Sequence, residues 1–218
     1  MKTVKDYYRE RFPENDFQKR RGIWRVLCAD FFQRFVKKDD VVMDIAAGYC
    51  EFINNIKCKT KIAVDINPDV KKFAGKDVKV VMTPALKIPT SYTGKIDKIF
   101  MSNFLEHLNT KEEVIDTLEK SFNLLKKGGQ VLVLQPNISL TGSKYWDFID
   151  HKVALNFSST QEALRIAGFN VTLAVEKFLP YTTKSILPQI PALIKIYLLI
   201  PSELRPFAGQ SFFVATKK

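Results

Sequence analysis

The sequence lacks the features that would mark a disulfide scaffold or a membrane span. Its three cysteines, Cys28, Cys50 and Cys58, form no CxxC pair and leave one over in any disulfide scheme, so a reduced, cytoplasmic setting is the expectation. No uncharged apolar run approaches the roughly 18 residues of a membrane span, and Met1 to Arg11 is charged and aromatic without an apolar signal core. A protein neither secreted nor transmembrane is expected. Histidine is nearly absent: only His107 and His151 can titrate near neutral pH without perturbation. Internal repeats, low-complexity tracts and a dividing linker are also missing, which points to one domain.

With 218 residues and 46% hydrophobic content, the chain can bury one substantial core. A net charge of +11 admits nucleic acid, a phosphorylated substrate or an anionic membrane surface as partner. The basic residues are scattered, with local clusters only at Lys19-Arg20-Arg21 and Lys126-Lys127, and no RNA-binding motif interleaves them. Nucleic acid is therefore disfavoured.

The organising stretch is Val41 to Glu51. An apolar run ends in Asp44, small residues follow at Ala46, Ala47 and Gly48, and Glu51 opens a helix. This reads as a strand buried on both faces, then a tight loop that lets backbone approach a ligand. A second strand, Lys61 to Ile66, carries Asp65 at its end about 20 residues on, where a ribose-binding carboxylate is expected.

Upstream, residues 1 to 38 read as helical, around Tyr7 to Phe12 and from Asp16 to Val36, with Pro13 between. Downstream, Pro68 starts a helix that Gly75 ends, Asp77 to Met82 forms a third strand and Lys95 to Ser102 a fourth. A capping box of Thr110 and Glu113 begins a long helix through Leu125, with Lys126, Lys127, Gly128 and Gly129 as its expected C-terminal closure. A fifth strand follows from Gln130 to Gln135. Ser159 and Glu162 are expected to cap a helix ending at Gly168, before strands from Phe169 to Val175 and from Gln210 to Thr216. The alternation predicts an α/β fold: a doubly wound, Rossmann-like, mostly parallel seven-stranded sheet with helices on both faces and an antiparallel last strand.

From these residues the chain resembles the class I S-adenosylmethionine-dependent methyltransferases. Asp44, Ala46, Gly48 and Cys50 match the acid and glycine-rich loop of the family's first motif, although glycines common there are replaced by Ala46 and Cys50. Ala47 to Phe52, Ser102 to His107, Tyr145 to Phe148 and Asp150-His151 resemble a bacterial subgroup of unassigned substrate. The resemblance implies a single methyltransferase domain over 1–218, a helical cap over about 1–38 and a hydrophobic insertion over about 183–208. It implies S-adenosyl-L-methionine as cofactor, held by Asp44, Ala46, Ala47, Gly48, Tyr49, Phe52, Asp65, Ile66, Met82, Thr83 and Asn103, with Thr83 near the adenine. Arg21 or Arg25 would meet the methionine carboxylate.

Methyl transfer from a sulfonium asks the protein chiefly to align the nucleophile and exclude water, and an oxygen nucleophile also needs its proton removed. His107 and His151 are the candidates for that step. Tyr145, Trp146, Asp147 and Asp150 are the candidate acceptor contacts, and no metal site with diagnostic spacing is visible. The acceptor is expected to be a small molecule, a glycan or a lipid-linked compound, methylated on oxygen or nitrogen. The alternatives are an RNA-directed methyltransferase and a non-catalytic scaffold that kept the fold.

One apolar stretch is left over. Residues 187 to 206 contain four prolines around Ala192 to Ile200, too short to span a bilayer and apolar on nearly every side. A helix buried in its own domain, a homodimer surface or peripheral membrane contact through Lys184, Lys195 and Arg205 would each cover it.

Overall fold

The computed structural model describes residues 17–181 and 190–218. The expected helix around Tyr7 to Phe12, Lys184 and the first part of the hydrophobic insertion lie outside these residues. Helix α1 spans Phe17–Asp30, and the chain then tightens into a 3₁₀ turn over Phe32–Phe35 instead of continuing helical to Val36. The elements that follow are β1 (Val41–Ile45), α2 (Glu51–Asn55), β2 (Thr60–Asp65), α3 (Val70–Phe73), β3 (Val78–Met82), β4 (Ile96–Ser102) and α4 (Lys111–Leu124). The chain continues through β5 (Leu125–Pro136), α5 (Ile138–Thr141), α6 (Phe157–Ile166), β6 (Asn170–Pro180), α7 (Pro191–Leu199) and β7 (Ala208–Thr216).

The seven strands lie in the order β3-β2-β1-β4-β5-β7-β6. Strands β1 to β5 pair in parallel, and β7 enters antiparallel between β5 and β6. The order reverses between β1 and β4, and at that switch point the carboxyl ends of the strands open a crevice for a ligand.

Alternation along each strand builds two cores, one on each face. Met43, Ile45, Ile99, Met101, Val131 and Val133 face Val114 and Leu118 of α4 and Leu164 of α6. Val42, Ala63, Phe100, Leu132 and Phe212 face Leu27 and Cys28 of α1, Phe52 and Ile53 of α2, and Tyr197 of α7. Aromatic rings dominate the second core: Phe52 stacks on Phe100 at 3.8 Å between centroids, and Phe32 meets both Phe100 and Phe212 edge-on or tilted. Phe52 is thus a core residue with 2% exposure, which corrects its assignment to the cofactor set.

Three expected boundaries change for local reasons. Thr110 does cap α4 by accepting from the Glu113 N–H, but the Glu113 carboxylate returns to Asn109. Helix α4 ends by passing directly into β5, so Lys126 to Gly129 are strand residues and not a helix closure. Lys126 reaches both carboxylate oxygens of Asp97, and the Gly128 N–H donates to the Lys217 carbonyl. The cap of α6 is the reciprocal pair of Asn156 and Ser159, in place of Ser159 and Glu162.

Helix α7 rests Tyr197 on the second core, with its hydroxyl donating to the Pro206 carbonyl. Leu193, Ile196 and Leu199 remain 39%, 59% and 84% exposed, so the helix is not wholly buried against its own domain. Arg205 does not face outward. Its guanidinium donates to the carbonyls of Ile200, Phe178 and Leu198, which removes it from the surface cations expected there.

Candidate active site

Asp44 sits in β1 opposite Ala63, and Asp65 closes β2 opposite Met82, so both acids stand at the carboxyl edge beside the switch point. The loop between β1 and α2 takes a left-handed backbone at Ala46, Gly48 and Cys50, with φ of 59°, 51° and 58°. Glycine adopts this region freely, whereas an L-residue pays about 1–2 kcal/mol. Ala46 and Cys50 therefore preserve the geometry of the missing glycines at the cost of strain. Ala47 fixes the loop by donating its N–H to the Val64 carbonyl and accepting from the Cys50 N–H.

Asp65 ties this loop to the next. Its carboxylate accepts from the Gly48 N–H and from the Asn67 N–H, each at 2.7 Å. Burial raises its pKa and outweighs these backbone bonds. Asp44 is raised further, first by burial and then by the neighbouring charge of Asp65. Two acids that resist ionisation side by side are suited to a cationic ligand, whose charge would favour their carboxylate forms.

Arg20 was not among the expected residues, yet it holds the amino-terminal helix to this loop. It pairs with Glu51 at 2.6 Å and lies over the Tyr49 ring. Burial nevertheless raises the Glu51 pKa against that pairing. Arg21 and Arg25 are exposed, and Arg25 lines a surface cleft of about 810 Å³ with Lys57, Lys61 and Asp77. That cleft lies at the amino ends of the strands, away from the acids, so Arg25 cannot serve as the expected carboxylate contact.

Beyond Asp65, Ile66 and Met82 present large apolar side chains at 52% and 45% exposure. They offer a surface for a flat ring, and the Thr83 hydroxyl beside them donates to the Lys87 carbonyl while keeping lone pairs to accept. Asn103 also has positive φ, at 48°, and its side-chain oxygen accepts from Gln210 of β7. These residues fit an adenosine cofactor with a cationic end.

The segment after β4 brings a second group to the same edge. Glu106 is fully buried, and one carboxylate oxygen accepts from Gln135 Nε2 at 3.1 Å. The other, Oε1, lies 3.7 Å from His107 Nε2 and 3.9 Å from His151 Nε2. Asp150 contacts His107 Nδ1 through both its carboxylate and its backbone carbonyl, each at 3.2 Å. Burial works against a charged His107, but Glu106 and Asp150 outweigh it and raise its pKa. Burial likewise raises the Glu106 pKa.

The structure thus joins His107, His151 and Asp150 and adds Glu106. In the sequence, Glu106 stands out only as part of the Ser102 to His107 motif. Tyr145 is buried beside His151, with its hydroxyl donating to the Val153 carbonyl and accepting from the Leu155 N–H. It shapes the loop, and its only proton is committed to the Val153 carbonyl. Trp146 and Asp147 are exposed, while Phe148 and Tyr181 border the His151 ring.

The sheet order, the strained loop and the paired strand-end acids together make this a class I S-adenosylmethionine-dependent methyltransferase fold. Residues 43–133 match the family model described as a methyltransferase domain. Among solved structures, a SAM-dependent methyltransferase from Archaeoglobus fulgidus is 21% identical, with 99% of this chain and 100% of that one covered and a TM-score of 0.65. A SAM-dependent methyltransferase from Thermotoga maritima is 16% identical over 97% and 98% of the two chains, with a TM-score of 0.66. One from Mesorhizobium loti is 13% identical over 84% and 94%, with a TM-score of 0.61. No curated protein matches the sequence. The fold and the matched domain imply S-adenosyl-L-methionine as the cofactor.

Proposed function

We propose that this protein transfers the methyl group of S-adenosylmethionine to an oxygen or nitrogen of a small-molecule, glycan or lipid-linked acceptor. The observation that carries this reading is the placement of two groups at one sheet edge. Asp65 and the Gly48 loop form a cofactor cradle after β1 and β2, and the Glu106, His107 and His151 cluster lies after β4 and β5. When bound, the cofactor supplies an electrophilic methyl group. Asp44 offsets positive charge on the cofactor side, Asp65 accepts from ribose hydroxyls, and Ile66 with Met82 shields the adenine. His107 and His151 border the acceptor, and their cluster assists loss of its proton. The exposed face of α7 supplies part of the acceptor entrance or an association surface. A reduced cytoplasmic setting fits the free cysteines among the described residues.

Calorimetry with S-adenosylmethionine tests the first half, and absence of binding at millimolar ligand would leave a scaffold. Release of S-adenosylhomocysteine is then followed with hydroxyl and amine compounds, glycans, lipid-linked sugars and RNA transcripts. Turnover on RNA alone would replace the small-acceptor reading.

A further inference from the structure

We propose that Glu106, His107 and His151 form a binding site for one divalent first-row transition cation. Each residue offers one ligand atom, and these atoms lie within 4.8 Å of one another. Two imidazoles with one carboxylate form a donor set suited to such ions. The decisive feature is the spacing around Glu106 Oε1. Its separations of 3.7 Å and 3.9 Å from the two Nε2 atoms are too long for hydrogen bonds. Ligand atoms bound about 2.1 Å from one ion would lie roughly 3.0–3.4 Å apart, so seating a cation requires the two Oε1 contacts to shorten by about 0.3–0.9 Å and the widest pair of the set, up to 4.8 Å, to close by more.

The surroundings orient these atoms. Glu106 Oε1 is buried and accepts no hydrogen bond among the described residues, while Gln135 holds the other oxygen and aims Oε1 at the imidazoles. A buried carboxylate oxygen needs a counter-charge, which either a proton on His107 or a cation held between the two imidazoles can supply. Asp150 engages Nδ1 of His107 through two acceptors, which places the proton on Nδ1 and presents the Nε2 lone pair. A carboxylate behind a histidine in this way is the usual outer support of a metal ligand. Tyr181 lies 3.5 Å from His151 Nε2, at the limit of a hydrogen bond. The His107 side chain is 24% exposed, giving an ion access from solvent, while those of His151 and Glu106 are 2% and 1% exposed.

Three protein ligands would leave coordination positions for water or for oxygen atoms of an acceptor. This consequence for the acceptor rests on the methyltransferase reading, whereas the ion site does not. The full chain is stripped with chelator, dialysed and titrated with Co²⁺, whose visible absorption reports coordination, and with Zn²⁺ and Mn²⁺ by calorimetry. One equivalent of ion per chain is expected, with affinity reduced at least tenfold by Glu106→Gln or His151→Gln and about 10–100-fold by Asp150→Asn. Should the buried variants fail to fold, His107→Gln at the more accessible position carries the same expectation. Absence of binding to about 1 mM ion, unchanged affinity in folded variants, or a cobalt–thiolate band would each overturn the site. S-adenosylmethionine binding, measured on the same metal-free protein, separates failure here from failure of the methyltransferase reading.

Discussion

Replacing Asp65 by alanine should damage both the loop and cofactor binding, by amounts that can be measured separately. Its carboxylate accepts two backbone N–H groups, from Gly48 and Asn67. Removing it leaves two donors without their acceptor, at about 1–3 kcal/mol each, so the variant should lose about 2–6 kcal/mol before relaxation or water recovers part. A ribose hydroxyl that donates to a charged acceptor contributes about 1.5–3 kcal/mol, equivalent to roughly 10–150-fold in Kd. Asp65→Asn should fall between wild type and alanine: its carbonyl can keep one backbone donor, but its NH₂ must face the other. Urea denaturation gives the first quantity, and calorimetry with S-adenosylmethionine and S-adenosylhomocysteine gives the second. An alanine variant that folds with wild-type stability would refute the loop role. One that binds within about twofold of wild type would remove Asp65 from the ribose site.

Asp44→Asn should stabilise the free protein near neutral pH and weaken S-adenosylmethionine binding. Burial and Asp65 raise the Asp44 pKa, so its stabilising contribution is complete below the unfolded value and is lost as pH rises through the folded one. The advantage of the asparagine variant over wild type should therefore vanish near pH 4 and grow upward, and thermal melts across that interval would show the opposite trend if the sign were wrong. Tyr145→Phe should cost about 1–3 kcal/mol by unpairing Val153 and Leu155, with cofactor affinity retained; calorimetry and denaturation on one preparation test both parts. Wild-type protein should associate through α7, and Ile196→Glu with Leu199→Glu should disperse it in light scattering or liposome flotation. Salt should release a headgroup-held form but not an apolar dimer, and a wild-type monomer that stays off liposomes would rule out both.

The sheet was readable because its strands are short apolar runs, each closed by a turn signal, and Asp44 and Asp65 were readable because strand-end position alone singles them out. What escaped depends on distant partners. Lys126 to Gly129 read as a helix closure since the strand alternative needs Asp97 and Lys217. Glu106 read as an ordinary acid in a short motif, and its burial beneath Gln135 is a product of the packed β5 edge. Phe52 and Tyr145 show the converse: each aromatic lies within a motif stretch, yet Phe52 is taken up by ring stacking and the Tyr145 hydroxyl bonds its own loop. Arg20, Arg21 and Arg25 were indistinguishable by type, and only the rotation of α1 selects Arg20.

The antiparallel insertion of β7 also sets the timing of assembly. Among the described residues every other strand precedes it, yet its lane lies inside the sheet, and its pairing joins residues as distant as Gln130 and Thr216, 86 positions apart. Until β7 arrives, β5 and β6 border an unfilled lane with unpaired backbone groups and a route to aggregation. Because Gln210 on that strand also secures Asn103 at the crevice, a nascent chain that has not yet delivered β7 lacks a strut of its own binding edge. Completion of the binding edge therefore waits on the closing of the sheet, a long-range pairing and not a local one.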